Sequence, residues 1–346
     1  MGKITTVGVD LAKNVFALHG VDRSGKVVLK KTVSRARLLE EFSNLPACLV
    51  GMEACSGSHH WARQWERQGH TVRLMAVQFV RPYRKSEKND ANDACAICEA
   101  VSRPSMRFVP VKSVEQQAVL ALHRARAGLV EMRTAVVNRL RGLLSEFGVV
   151  LPVGTQKLRR AMPEILEDGE NGSPGLAREA LAEHYALLGD LDQRIAVYDR
   201  RIEQLARQGE PSRRLMQIEG IGPITASAVV ATVGDAKLFD SGRQFAAWLG
   251  LTPKQRSSGG KLRHGRISKR GDPYLRTLLI LGTRAVMSRT QDKTDPKSNW
   301  VEALKARRGR HKAAVALAAK QARTIWALLA KAENYQSPRS AHSAAN

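Results

Sequence analysis

Residues 4–33 read ITTVGVDLAKNVFALHGVDRSGKVVLKKTV, and this stretch decides the fold of the amino-terminal part. Ile4–Asp10, Val15–Val21 and Val27–Val33 are short runs rich in β-branched residues. Lys13-Asn14 and Asp22-Arg23-Ser24-Gly25 separate them with the residues that hairpin turns require, so the spacing predicts three consecutive antiparallel strands. Outward from there, the pattern predicts a helix over Arg35–Phe42, a buried strand over Cys48–Met52, a helix around Ser58–Gln68 and a strand over Thr71–Ala76.

Three antiparallel strands followed by helix, strand, helix and strand is the order of a ribonuclease-H-like sheet. Periodicity permits that topology without establishing it. Beyond Val114 the pattern turns helical, with Leu122, Leu129, Met132, Val136, Leu140, Leu143 and Phe147 recurring at helical spacings. Pro152 to Pro174 reads as a Gly- and Pro-punctuated connection. A second helix follows, in which Leu181, His184, Leu188, Leu191, Ile195, Tyr198, Ile202 and Leu205 alternate three and four apart. That 3.5-residue repeat keeps one face against a partner. A dimeric coiled coil and an intramolecular hairpin with the Val114–Phe147 helix both satisfy it, with the dimer placed slightly first. The fold class expected is therefore α/β plus all-α, in four parts: an α/β domain over 1–105, a helical and coiled-coil linker over 106–210, a mainly helical domain over 211–335 and a disordered tail over 336–346.

Acidic residues fall at telling places. Asp10 ends the first strand and Glu53 directly follows the buried one. Asp90 and Asp93 stand three apart in Lys88-Asn89-Asp90-Ala91-Asn92-Asp93-Ala94, at the start of a predicted helix. Residues three apart on a helix share a face, so both could point toward one site. Singly, Asp90 and Asp93 could cap a helix, and Asp10 or Glu53 could be a turn residue. Together they form a set of oxygen ligands suited to Mg²⁺ (or Mn²⁺), the ions that support phosphoryl transfer in two-metal sites.

Two segments in the carboxyl-terminal half suit phosphate. Leu215–Ala226 contains Gly220-Ile221-Gly222 between two predicted helices and looks like a helix-hairpin-helix. Glycines there allow a tight turn and a close approach of backbone N–H groups to phosphate. A dinucleotide loop lacks its third glycine and its leading strand, and a purely structural turn is the plainer alternative. After Gly250-Leu251-Thr252-Pro253 comes a stretch carrying Lys254, Arg256, Lys261, Arg263, Arg266, Lys269 and Arg270 against the single acid Asp272. Read from composition, this is a flexible, solvated basic loop that binds nucleic acid. Ser257 and Ser258 lie inside it, and a serine becomes a nucleophile only when its surroundings help remove the proton.

The whole chain is basic. Its 346 residues hold 56 Lys and Arg against 32 Asp and Glu, a formal net charge of +24. An excess of this size points to a polyanionic partner. The four cysteines, Cys48, Cys55, Cys95 and Cys98, form no secreted disulfide framework. Cys95-x-x-Cys98 lacks the second pair that a zinc site needs. The opening residues formally match a myristoylation pattern, but they run straight into a strand. No uncharged apolar run approaches the ~20 residues of a membrane span, and a cytoplasmic location is expected.

The motifs Gly8-Val9-Asp10-Leu11-Ala12-Lys13, Met52-Glu53-Ala54, Lys88–Ala94, Ile218-Glu219-Gly220-Ile221-Gly222, Gly250-Leu251-Thr252-Pro253 and Ser257-Ser258-Gly259 occur in order. In this the chain resembles the insertion-sequence transposases with an Asp-Glu-Asp-Asp domain, relatives of the Piv-type DNA invertases. The resemblance runs from Ile4 to about Ala332. It implies a bacterial DNA recombinase with a RuvC-like domain, in which Asp10, Glu53, Asp90 and Asp93 bind the metal and Ser258 is the nucleophile. It further implies donor and target DNA as partners, a bridge RNA as guide in some members, homodimers or homotetramers, and a nucleoid-associated location. The chain departs from the family in two places. Ser257 stands where many relatives carry an acid, and Glu53 is followed by Ala54-Cys55-Ser56-Gly57-Ser58-His59-His60 rather than a shorter segment. Two other readings are a junction-resolving nuclease that directs water, and a nucleic-acid-binding protein without catalysis.

Overall fold

The computed structural model describes residues 3–85, 87 and 89–336. Lys88 of the acidic motif, the Met1-Gly2 start and all but one residue of the expected tail lie outside them. The chain divides into two compact units, 1–114 and 115–346.

The first unit is built on a six-stranded sheet. In chain order its elements are β1 (Ile4–Asp10), β2 (Val15–Asp22), β3 (Val27–Ser34), α1 (Leu38–Ser43), β4 (Leu49–Glu53), α2 (Ser58–Arg67), β5 (Thr71–Met75), α3 (Val77–Val80), α4 (Asp90–Val101) and β6 (Phe108–Val109). The strand order is β3-β2-β1-β4-β5-β6. The first three strands are antiparallel, β4 and β5 run parallel to β1, and β6 returns antiparallel to β5. The unit extends past residue 105 because β6 closes the sheet. Val7, Val9, Val50, Met52 and Leu74 are fully buried in β1, β4 and β5, as strands covered on both faces require.

Two glycines position α4. Gly8 and Gly51 are register partners across β1 and β4. A Cβ on Gly8 would meet the Ala94 carbonyl oxygen at 2.2 Å, and one on Gly51 would meet Val101 Cβ at 2.8 Å. Only bare backbone lets α4 lie this close to the sheet. Thr6 accepts a weak hydrogen bond from Cys98 Sγ, and Gly8 faces Ala94, so α4 runs antiparallel to β1. Its amino-terminal turn therefore lies toward Asp10.

The second unit begins with α5 (Val114–Glu146), α6 (Thr155–Glu167) and α7 (Gly175–Gln208), followed by α8 (Glu210–Met216), α9 (Pro223–Val233) and α10 (Gly242–Trp248). A hairpin of β7 (Pro253–Ser258) and β8 (Lys261–Ile267) comes next, then α11 (Pro273–Met287), α12 (Pro296–Arg308) and α13 (Arg310–Lys331). One expectation is corrected here, and one of two open alternatives is met within the chain. The 152–174 connection contains α6, whose Leu158 and Met162 are fully buried; its hydrophobic face overrides the breaking effect of Pro163. The α7 seam is also used inside the chain, since Leu181, Leu188 and Leu191 pack with Val136, Leu140 and Leu144 of α5 and with α6. The intramolecular hairpin is what this seam builds.

A second core joins α8, α9, α10, α11 and α13 through Leu215, Val229, Phe245, Leu279 and Ile325. His123 of α5 is buried beside it. Its ring nitrogens lie 3.0 Å from the Tyr274 hydroxyl and 3.0 Å from Ser227 Oγ, which in turn donates to the Pro223 carbonyl at 2.7 Å. Burial, reinforced by Arg126, lowers the His123 pKa to about 4. The neutral ring thus serves as a tie between three helices.

Candidate nucleic-acid interface and carboxylate edge

Asp10 and Glu53 terminate neighbouring parallel strands, one position beyond the Val9–Met52 pair. Strand ends of parallel sheets are where such folds gather function. Beyond Glu53 the chain is pinned: Ala54 N–H donates to the Met75 carbonyl, and Ser58 Oγ donates to the Cys55 carbonyl. Cys55 registers both acids. The protein packed around it raises its thiol pKa, with the Glu53 and then the Asp10 carboxylate adding to the effect.

Asp90 and Asp93 occupy the first turn of α4, which Asn89 caps by accepting from Asn92 N–H at 2.8 Å. Asp93 forms a 3.4 Å ion pair with Arg84. The four carboxylates therefore sit at one end of one sheet, yet among the described residues no three His, Cys, Asp or Glu groups close into a metal cage. As an all-oxygen donor set they fit Mg²⁺ or Mn²⁺, provided Asp93 exchanges Arg84 for the ion. His59 and His60 stand outside the set. His59 Nδ1 accepts from Lys112 N–H, and His60 packs edge-on against Trp61.

In the second unit, the stretch expected as a flexible loop is an ordered antiparallel hairpin, which is a correction. Gly259 and Gly260, both at positive φ (55° and 72°), form its two-residue turn. Paired positive φ values match the right-handed twist of the flanking strands. Hydrogen bonds from Ser268 to Thr252 and from Lys269 to Gly250 hold its base. Gly271 lies so close to Trp248 that a Cβ would meet its carbonyl oxygen at 2.0 Å. Arg270 continues this clamp, and Asp272 caps α11 through Tyr274 and Leu275 N–H.

The hairpin register separates the two serines. Ser258 pairs with Lys261, Ser257 with Leu262, Arg256 with Arg263 and Gln255 with His264. Successive residues point to opposite faces, and cross-strand partners share one. Ser258 thus shares a face with Arg256, Lys261 and Arg263, while Ser257 shares the other with Gln255, Leu262 and His264. Ser257 Oγ accepts from the Gln255 amide at 3.2 Å. The remaining cations, Lys254, Arg266 and Lys269, follow the hairpin toward its base, and all of β7 is exposed.

Gly220 and Gly222 differ in what they do. Gly220 (φ 84°) packs backbone to backbone on α11, where a Cβ would meet the Gly282 carbonyl oxygen at 2.7 Å. Gly222 precedes Pro223 as the amino-terminal cap of α9 and has open space around it. Lys297 anchors the turn through Glu219 at 2.7 Å and holds that carboxyl below its usual range. The sequence reading passed over two further basic places. One is the α12–α13 junction, with Arg307, Arg308, Arg310 and Lys312. The other is the segment after β5, where Phe79 and Tyr83 alternate with Arg81 and Arg84. In both, the signal was a cation run adjoining aromatic or glycine residues.

The first unit thus presents an acidic sheet edge and the second a cationic hairpin. Comparison with known proteins gives the family. A model described as "Transposase IS116/IS110/IS902 family" matches residues 212–297, and a second, described as a transposase and labelled with the Asp-Glu-Asp-Asp domain of the IS110 type, matches residues 7–149. A probable family 20 transposase of Pseudomonas aeruginosa is 51% identical over 96% of this chain and 99% of its own length. The transposase for insertion sequence element IS1111A of Coxiella burnetii is 44% identical over 97% and 92%. The transposase for insertion sequence element IS1328 of Yersinia enterocolitica is 41% identical over 94% and 97%. The chain belongs to the IS116/IS110/IS902 family of insertion-sequence transposases. No helix among the described residues is long and apolar enough to cross a membrane.

Proposed function

We propose that the protein cuts and rejoins DNA through a phosphoserine intermediate formed on Ser258. The observation that carries this reading is the hairpin register, which gives Ser258 a face shared with three cations and gives Ser257 an uncharged neighbour strip. Ser258 Oγ attacks the phosphorus of a phosphodiester. A phosphorus–Oγ bond forms, the bond to the departing strand's oxygen breaks, and the serine proton ends on that oxygen. The hydroxyl of an incoming strand reverses the step, so bond energy is conserved. Arg256, Lys261 and Arg263 neutralise charge that develops on the phosphate oxygens.

Asp10, Glu53, Asp90 and Asp93 would hold Mg²⁺ or Mn²⁺, which supplies further stabilisation of phosphate charge. The first unit is read as ribonuclease-H-like, in keeping with its strand order. The α8–α9 turn is read as a helix-hairpin-helix, with Gly222 leaving the α9 amino terminus open to a backbone phosphate. The net charge of +24 supports a large polyanion load, consistent with DNA together with a structured bridge RNA. Assembly as a homodimer or homotetramer in the bacterial cytoplasm, near the nucleoid, belongs to the same reading.

The test is a protein–DNA adduct assay on denaturing gels. Ser258→Ala should abolish the adduct while DNA binding persists, and Ser257→Ala should retain it. Adducts that persist in Ser258→Ala and disappear in Ser257→Ala move the nucleophile by one residue. Hydrolysed products with no adduct in either protein favour the water-directing nuclease.

A further inference from the structure

A cleft opens on the carboxylate edge of the first unit. Between α3 and the residues that lead into β6 is a cleft of about 250 Å³ lined by Phe79, Pro82, Tyr83, Met106 and Arg107. Its placement follows from the register. Glu53 pairs with Met75 at the end of β5, and α3 begins two residues later. β6 runs antiparallel, with Phe108 opposite Met75, so Ser105–Arg107 enters from the same edge. Both walls therefore stand one strand away from Glu53.

The lining is mixed: Phe79, Tyr83, Pro82 and Met106 stand beside the polar Gln78 and Ser105, and Arg107 adds a cation. Phe79, Tyr83 and Met106 are half-buried, and Arg81 and Arg107 are exposed with no ion-pair partner among the described residues. The Arg103 guanidinium lies 5.7 Å from the Tyr83 ring centre. The nearby acid Glu99 is already matched by Lys85 at 2.8 Å and Arg103 at 2.6 Å.

We infer that this cleft takes an unpaired base of a single DNA strand, stacked on Phe79 and Tyr83, with the adjoining phosphate on Arg107. Aromatic faces flanked by unpaired cations are the general means of holding single strands, because every base offers a stacking face and every phosphate a charge. Duplex DNA keeps its bases stacked inside and cannot use such a cleft. The inference rests on the proposed reading that the protein cuts and rejoins DNA, which frees single-stranded ends, and it needs no chemistry at Ser258. A site one strand from Glu53 would hold an opened strand beside the carboxylates.

The test uses the full chain and a short single-stranded oligodeoxynucleotide containing 2-aminopurine, whose fluorescence is quenched when the base stacks. Phe79→Ala and Arg107→Ala should each weaken single-strand binding about ten-fold and leave duplex affinity within two-fold of wild type. Phe79→Trp should restore the quench, which a merely structural role would not predict, and thermal unfolding should be unchanged throughout. Unchanged single-strand affinity in Phe79→Ala would overturn the assignment. So would equal loss on duplex, or loss confined to an RNA oligonucleotide of the same sequence. Ser258→Ala should leave the quench untouched, so failure of the serine mechanism and failure of the base site remain distinguishable.

Discussion

The carboxylate edge and the basic hairpin are positioned by opposite means. Asp10 and Glu53 project from strands whose Val9 and Met52 are fully buried, beneath a helix seated on two bare glycines. Every β7 residue is exposed, and Arg256 faces Arg263 directly. Like charges opposed across a ladder repel, and a two-stranded hairpin is marginal by itself. The clamp at Gly250 and Gly271, with the Ser268–Thr252 hydrogen bond, ties its base to a core. The acids are thus held before any ligand arrives, whereas the hairpin is a charged arm that a phosphate backbone would stabilise. On the proposed reading, the metal ligands would occupy the rigid part and the nucleophile the adaptable one.

The sharpest challenge to this contrast is chemical. Asp10→Asn or Glu53→Gln should reduce strand joining below detection while DNA binding in gel shifts stays near wild type. Retained joining would remove the carboxylates from the reaction. Glycine replacements test the two kinds of support. Gly8→Ala should cost about 1–3 kcal/mol in urea unfolding, because its Cβ meets α4 backbone. Gly260→Ala should leave that transition in place and weaken DNA binding instead; equal effects on stability would erase the distinction.

Smaller in functional consequence is the pH response of the helical unit. The His123 pKa is lowered from 6.5 to about 4, so the unfolded chain binds its proton first as pH falls. Stability from this site is complete above about 6.5 and declines toward 4, on the order of 3 kcal/mol in all. The urea midpoints of wild type and His123→Gln should converge over that range, and a constant gap would refute the buried neutral ring. Smallest is the salt response. Arg256→Gln with Arg263→Gln should lower the slope of log affinity against log salt by about 2, while Arg84→Gln leaves it unchanged.

Much of the first unit was legible in residues 4–76, because half-buried and buried strands leave alternating or continuous apolar runs that turn residues punctuate. The acids at strand ends could be found for the same reason: a charge after an apolar run marks where the sheet stops. The 254–272 stretch misled, since a hairpin with no buried face carries no alternation, and only the Gly259-Gly260 pair hinted at its turn. The 152–174 segment misled because Pro163 and its glycines masked an apolar face that only contact with α5 and α7 rewards.

By itself the sequence determined the order of strands and helices over residues 4–76, the positions of the acids, the surplus of positive charge and the family, because these are local or additive properties of residues. Tertiary structure decided which partner the α7 seam takes, that Gly8 and Gly51 exist to seat α4, which serine shares a face with the cations, and that Phe79 and Arg107 line one cleft. Each of these depends on register or on the approach of distant backbone. A linear pattern records periodicity but not which surfaces meet.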